Sequence, residues 1–134
     1  MQVPYIHLGL QHRDIKTQIP DRIGALLDSG QFIMGEECQQ FEKRFAEIHK
    51  VRFALGVANG TDALFLSLKA LGIGPGDEVI TSPNSYLASA SCIAIVGAKI
   101  VFADVRDDFN LDPEKVAAAI TPKTKAIIAV HLTG

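Results

Sequence analysis

Asn59-Gly60-Thr61 closes a short apolar run and opens an almost wholly apolar helical pattern. A chain passing from strand through tight turn to helix presents free backbone N–H groups at the positive end of the helix dipole. That makes the turn a cradle for a phosphate group. Gly60 lets a ligand approach the main chain, the Thr61 hydroxyl adds a hydrogen bond, and Asn59 is a competent N-cap. The same residues also fit a plain turn that binds nothing, and Asp62 already supplies the dipole with a carboxylate. Two further groups fall on the same side of the expected fold. Ser82-Pro83-Asn84-Ser85-Tyr86 follows a strand and opens a helix. Its Tyr86 either stacks on a planar ring or packs at a helix start. Ser85 and Ser89 share one helix face. His131 closes the last strand at that edge, as a functional imidazole or a structural one. Asp104 reads as a loop-capping carboxylate, and Asp107 and Asp108 as solvated.

Other chemistries find no support. Gly72-x-Gly74-x-Gly76 has dinucleotide-like spacing but follows a helix and precedes a strand, the reverse of the polarity that sets a pyrophosphate on a helix N-terminus. There is no Gly-Lys-Ser/Thr phosphate loop. No His, Cys, Asp or Glu set has metal-ligand spacing, and no Ser–His–Asp set is evident.

The elements that must position these residues follow from the hydrophobic rhythm. Residues 15–27 carry isoleucine and leucine at helical spacing, with Pro20 expected to break or kink the helix and Ser29-Gly30 to stop it. Cys38, Phe41, Phe45 and Ile48 line one side of an amphipathic helix over residues 36–48. Thereafter strands are expected at 53–58, 78–82, 99–105 and 125–132. Helices are expected at 61–71 and 85–96, and a third is capped by Asp112 and opens with Pro113. Strands rich in Val, Ile and Ala without polar alternation imply burial on both faces, and their alternation with helices implies a mostly parallel sheet flanked by helices. The chain thus divides into a helical arm over residues 1–50 and βα repeats over 51–134. It stops just past a strand, at a sheet edge where functional loops begin, which reads as a truncation.

Composition bounds the possible partners. The 134 residues are 48% hydrophobic and 21% charged with a net charge of −2, a globular balance with no basic stripe for nucleic acid. Cys38 and Cys92 are far apart, fit a reducing compartment and read as buried apolar side chains. Residues 1–30 hold neither a signal-peptide core nor a membrane span, so a cytoplasmic chain is expected.

Taken in order, several stretches resemble a known family. They are Phe41-Glu42; Ala58-Asn59-Gly60-Thr61-Asp62-Ala63-Leu64; Gly72-Ile73-Gly74-Pro75-Gly76-Asp77-Glu78-Val79-Ile80; Gly97-Ala98 before Val101-Phe102-Ala103-Asp104-Val105; Ile120-Thr121-Pro122-Lys123-Thr124-Lys125-Ala126-Ile127-Ile128; and Val130-His131-Leu132. Together they are similar to the DegT/DnrJ/EryC1/StrS family of pyridoxal-phosphate-dependent sugar aminotransferases, over nearly the whole chain. The resemblance implies part of the large domain of a fold-type-I pyridoxal 5'-phosphate (PLP) enzyme, acting as a homodimer with sites at the subunit interface. It implies that Gly60 and Thr61 contact the cofactor phosphate and that Tyr86 stacks on the pyridine ring. Asn59 stands where the family often has Ser, Ser85 where it usually has Thr, and His131 lies near the cofactor. The substrates implied are a ketosugar nucleotide and an amino donor, typically glutamate.

The family also needs a lysine for the Schiff base and an acidic residue at the pyridine nitrogen. Lys69, Lys99, Lys123 and Lys125 do not stand in the family's lysine motif, so both groups are expected beyond Gly134. The family's sheet sets its first strand apart from the next three, so residues 54–58 would lack neighbours in this chain. The chain alone is therefore expected neither to transaminate nor to fold as a stable monomer. The rival readings are a non-catalytic phosphate- or nucleotide-binding module, a degenerate subunit pairing with a complete partner, and a related PLP-dependent dehydratase.

Overall fold

A computed structural model describes residues 3–132 and 134. The chain divides into two compact units, residues 1–56 and 57–134.

The first unit is helical: α1 (Leu8–Gln11), α2 (Ile19–Ser29) and α3 (Glu36–His49). Pro20 starts α2 instead of breaking it. It lies in the first turn, where a backbone N–H has no intrahelical partner to lose. Gly30 ends the helix at φ +66, a left-handed stop. The apolar stripe of α3 forms as expected, with Phe41 and Phe45 ring centroids 5.7 Å apart. It stays uncovered, however: Phe41, Phe45 and Ile48 are exposed, and Ala46 is the buried hydrophobic residue of this unit among those described. Cys38 shares that fate and is exposed, correcting the buried reading, whereas Cys92 is buried. The expected strand at 53–58 is also absent. Its residues join no ladder, the Gly56 N–H is held by Glu42 Oε1 at 2.7 Å, and Phe53 and Leu55 are 78% and 79% exposed. An apolar run becomes a strand only when a neighbour takes its hydrogen bonds.

The second unit is βα-alternating: α4 (Gly60–Ala70), β1 (Glu78–Thr81), α5 (Ala88–Ile95), β2 (Lys99–Phe102), α6 (Pro113–Ala119) and β3 (Thr124–Ile128). Its three strands are parallel in the order β2-β1-β3. The ladder of β1 with β3 shifts once: Glu78 faces Thr124 and Val79 faces Ala126, so Lys125 is the extra residue. All four residues of β1 are buried. β2 and β3 are half-exposed edges, so burial on both faces holds for the central strand alone. Successive residues of β1 enter separate cores. Val79 packs with Leu68, Cys92 and Ile93 of α4 and α5, and Ile80 with Ala103 and Val116 of α6.

The strand ends nearest the chain's entry are clamped by a buried carboxylate. Glu78 accepts from Thr121 Oγ1 at 2.6 Å and from Lys99 Nζ at 2.9 Å, tying β1 to β2 and to the α6–β3 turn. The Thr121 hydroxyl first, and then the Lys99 ammonium, hold its pKa below the ordinary 4.5. At the α5–β2 turn, Gly97 adopts φ +82, and a Cβ there would stand 3.1 Å from Pro75 Cγ. The helix expected at 85–96 begins at Ala88, because Asn84 N–H bonds back to Ser82 Oγ and holds the preceding residues in a turn.

Candidate functional site

The first turn of α4 is built by its cap. Asn59, in an extended conformation at φ −165, accepts the Asp62 N–H on Oδ1 at 2.9 Å, and its Nδ2 donates to Asp62 Oδ2 at 3.2 Å. This is a reciprocal cap in which an acid at the third helical position answers the cap residue. The carboxylate of Asp62 is thereby turned to the Asn59 amide. Asn59 O also takes the Ala63 N–H. The N–H groups of Gly60 and Thr61 find no partner among the described residues and stand at the positive end of an 11-residue helix.

Gly60 requires neither an unusual φ nor room: nothing lies within 4 Å of where its Cβ would stand. The fold itself therefore tolerates a side chain here. A bare glycine leaves the main chain open to close approach from outside.

Three elements meet over this turn. Gly60, Thr61 and Leu64 of α4, Ser85, Tyr86, Ala88 and Ser89 of the segment after β1, and Val130, His131 and Leu132 after β3 line a cavity of about 450 Å³. That volume is within the range of pockets that hold small molecules. The structure thus brings together Gly60, Thr61, Ser85, Tyr86 and His131, with Asn59 supporting them from the cap. Ser85 and Ser89 hydroxyls are hydrogen-bonded at 2.7 Å. Tyr86 is 79% exposed, so its ring face is free to stack. His131 lies three residues beyond β3, on the crossing segment rather than on the strand, and is exposed. No lysine is among the lining residues.

Donors for an anion, an aromatic plane and hydroxyls converge on one hollow, and they fit a phosphate-bearing planar ring such as PLP. Sequence reasoning missed Asn110. It lines a second hollow of about 370 Å³ shared with His131 and Val130. Its Nδ2 donates to Gly134 O at 3.3 Å, while its Oδ1 is buried without a partner among the described residues. No periodic or motif signal marks that residue, because its place beside this hollow comes from the folding of the 104–112 loop. Among the described residues no three His, Cys, Asp or Glu side chains form a metal-binding group, and no helix is long and apolar enough to cross a membrane.

The sequence profile of the DegT/DnrJ/EryC1/StrS aminotransferase family matches residues 13–134. The chain belongs to this family. Among its curated relatives, the UDP-2-acetamido-2-deoxy-3-oxo-D-glucuronate aminotransferase of Pseudomonas aeruginosa is 45% identical over 98% of this chain and 37% of its own length. Among solved structures, DesV of S. venezuelae, in complex with a ketimine intermediate, matches 99% of this chain and 36% of its own, at 40% identity and a TM-score of 0.93. NtdA of Bacillus subtilis, with bound cofactor PMP, matches 87% of this chain and 28% of its own, at 36% identity and a TM-score of 0.80. The chain thus spans only 28% to 37% of the length of these relatives. Its parallel sheet flanked by helices is the fold of these aminotransferase structures over the matched residues. The family is one of PLP-dependent aminotransferases, and the relatives matched do not favour the non-catalytic module or the degenerate subunit.

Proposed function

We propose that this chain supplies the phosphate-and-ring half of the active site of a PLP-dependent aminotransferase that moves an amino group, typically from glutamate, to a ketosugar nucleotide. The observation that carries the reading is the convergence of Gly60, Thr61, Ser85, Tyr86 and His131 on one cavity above a capped helix N-terminus. The Gly60 and Thr61 N–H groups and the Thr61 hydroxyl would hold the phosphate, and Asn59 keeps those donors aimed. Tyr86 would stack on the pyridine ring, the Ser85 hydroxyl would hydrogen-bond beside it, and His131 would bound the cofactor from the β3 side. When bound, PLP supplies the carbonyl that accepts the amino group and an electron-withdrawing ring.

The protein would work as a cytoplasmic homodimer, which its free cysteines suit. No lysine or acidic residue lines the cavity, so in this reading the Schiff-base lysine and the acid at the pyridine nitrogen would reach the cofactor from beyond this hollow. Purified alone, the 134-residue chain is expected to show no turnover with any amino donor and ketosugar nucleotide. Measurable turnover by that chain would contradict this.

Gly60→Val tests the cofactor site directly. A Cβ at this position meets no atom within 4 Å, so the thermal midpoint should hold. Hydrogen bonds to a charged group are worth about 1.5–3 kcal/mol each, so losing access to one or two donors should weaken PLP binding roughly 10- to 100-fold or more. Equilibrium dialysis against PLP reads the first quantity and calorimetry the second. Unchanged affinity in Gly60→Val would sink the assignment.

A further inference from the structure

The turn that would hold the phosphate also carries the one Asn-Gly pair of the sequence; Asn84 precedes Ser85 and Asn110 precedes Leu111. Asn-Gly is the pair most prone to spontaneous cyclisation, because glycine offers an unhindered main-chain nucleophile. Three observations place this chemistry at Asn59. The residue is exposed. The Gly60 nitrogen is engaged by no hydrogen bond among the described residues, and no atom lies within 4 Å of the position its Cβ would take.

We propose that Asn59 is a deamidation site whose reaction disables the phosphate cradle and which an occupying phosphate protects. The Gly60 main-chain nitrogen attacks Cγ of Asn59, forming a new C–N bond. The Cγ–Nδ2 bond breaks, and Nδ2 leaves as ammonia with the proton given up by the Gly60 nitrogen. Water then opens the five-membered imide. Attack at one carbonyl restores the main chain with Asp at position 59, and attack at the other reroutes it through Cβ and Cγ as isoaspartate. Nothing is oxidised or reduced, and water is the sole co-reactant.

Both products damage the turn. Each sets a carboxylate beside the two N–H groups that attract an anion. Isoaspartate also lengthens the main chain by one carbon just where Asn59 must hand the chain to α4, displacing the Gly60 and Thr61 donors. The cap acts as a brake: Asn59 must release both contacts to Asp62, at 2.9 and 3.2 Å, before Cγ can meet the Gly60 nitrogen. A phosphate accepting from the Gly60 N–H adds a second brake by engaging the nucleophile itself. This protection rests on the phosphate assignment made above, but the reactivity of the empty turn does not.

The test ages the protein in mildly alkaline buffer at physiological temperature, one sample stripped of PLP and one saturated with it. Peptide mapping and isoaspartate-specific methylation then locate the product. In the stripped sample, Asn59 is expected to react well ahead of Asn84 and Asn110. PLP binding capacity should fall in step, and the saturated sample should react at least several-fold more slowly. Asn59→Ser, which retains a capping hydroxyl, should gain no modification at this position, and its starting affinity should not decay with age. An unmodified Asn59 in the stripped protein, while a peptide of the same sequence reacts, overturns the proposal. So does equal reaction with and without bound PLP. If PLP fails to bind fresh protein, the functional reading falls, and the stripped sample alone still decides whether Asn59 reacts.

Discussion

Asn59 and Asn110 show how differently two amides can be used. Both amide atoms of Asn59 are engaged by Asp62, so the residue costs nothing in unmet hydrogen bonds and fixes the start of α4. Asn110 donates through Nδ2 but leaves a buried Oδ1 unmatched. Leaving a buried acceptor unpaired costs about 1–3 kcal/mol, against about 1 kcal/mol for the hydrogen bond that its Nδ2 makes at the surface. Asn110→Leu is therefore expected to be neutral or to raise stability by up to about 2 kcal/mol, read as the urea midpoint. A loss of 2 kcal/mol or more would mean that Oδ1 has a partner, such as an ordered water. That position is worth its cost only if the amide does something for the His131 segment beside it.

The elements differ in what each takes from its neighbours. β1 is anchored at its first residue by Glu78, whose carboxylate serves Thr121 and Lys99 together. Because its folded pKa lies below the ordinary 4.5, the stabilisation is present above that value and is lost as pH falls through the lowered pKa. Glu78→Gln should therefore be less stable than the parent at neutral pH, with the gap closing as the solution is acidified below 4.5. Denaturant melts at stepped pH measure this, and a gap independent of pH would show that the carboxylate's charge is irrelevant.

The helices and strands of the second unit were legible because hydrophobic period, caps and turn glycines agree there. The cap of α6 is an example: Asp112 accepts the Glu114 N–H at 2.8 Å, just where Pro113 and Glu114 announced a start. Residues 53–58 misled, because strand propensity is a local property and a ladder is not. Cys38 misled for a related reason. An amphipathic pattern says which face is apolar but not what covers it. The Gly60, Tyr86 and His131 convergence was legible from the rule that βα loops gather at one sheet edge. The role of Asn110 depends on a loop closed by the Val105–Leu111 bridge, which no local signal announces.

Considered whole, the molecule is richer in uncovered apolar surface than a self-sufficient domain would be. Phe102 on β2 and Ile127 on β3 are half exposed, each on a strand whose outer edge has no ladder partner among the described residues. Open parallel edges with apolar side chains invite association. Ile127→Lys is thus expected to increase the soluble fraction of the chain expressed by itself and to lower its light scattering. No change in either would place the sticky surface elsewhere, the α3 stripe being the next candidate.

The single extra residue in the β1–β3 ladder has a consequence for how this chain can change in length. Side chains alternate along a strand, so removing or adding one residue normally inverts everything downstream. Here Lys125 sits outside the pairing, between Thr124 opposite Glu78 and Ala126 opposite Val79. A deletion at Lys125 can be absorbed at that point, leaving Ala126 and Ile128 facing the core and His131 at its cavity. The same deletion placed after Ile128 falls beyond the ladder, in the short segment that itself carries His131, and would draw Val130 and His131 back from the cavity they line. Length variation is thus insulated from the chemistry on one flank of β3 and coupled to it on the other.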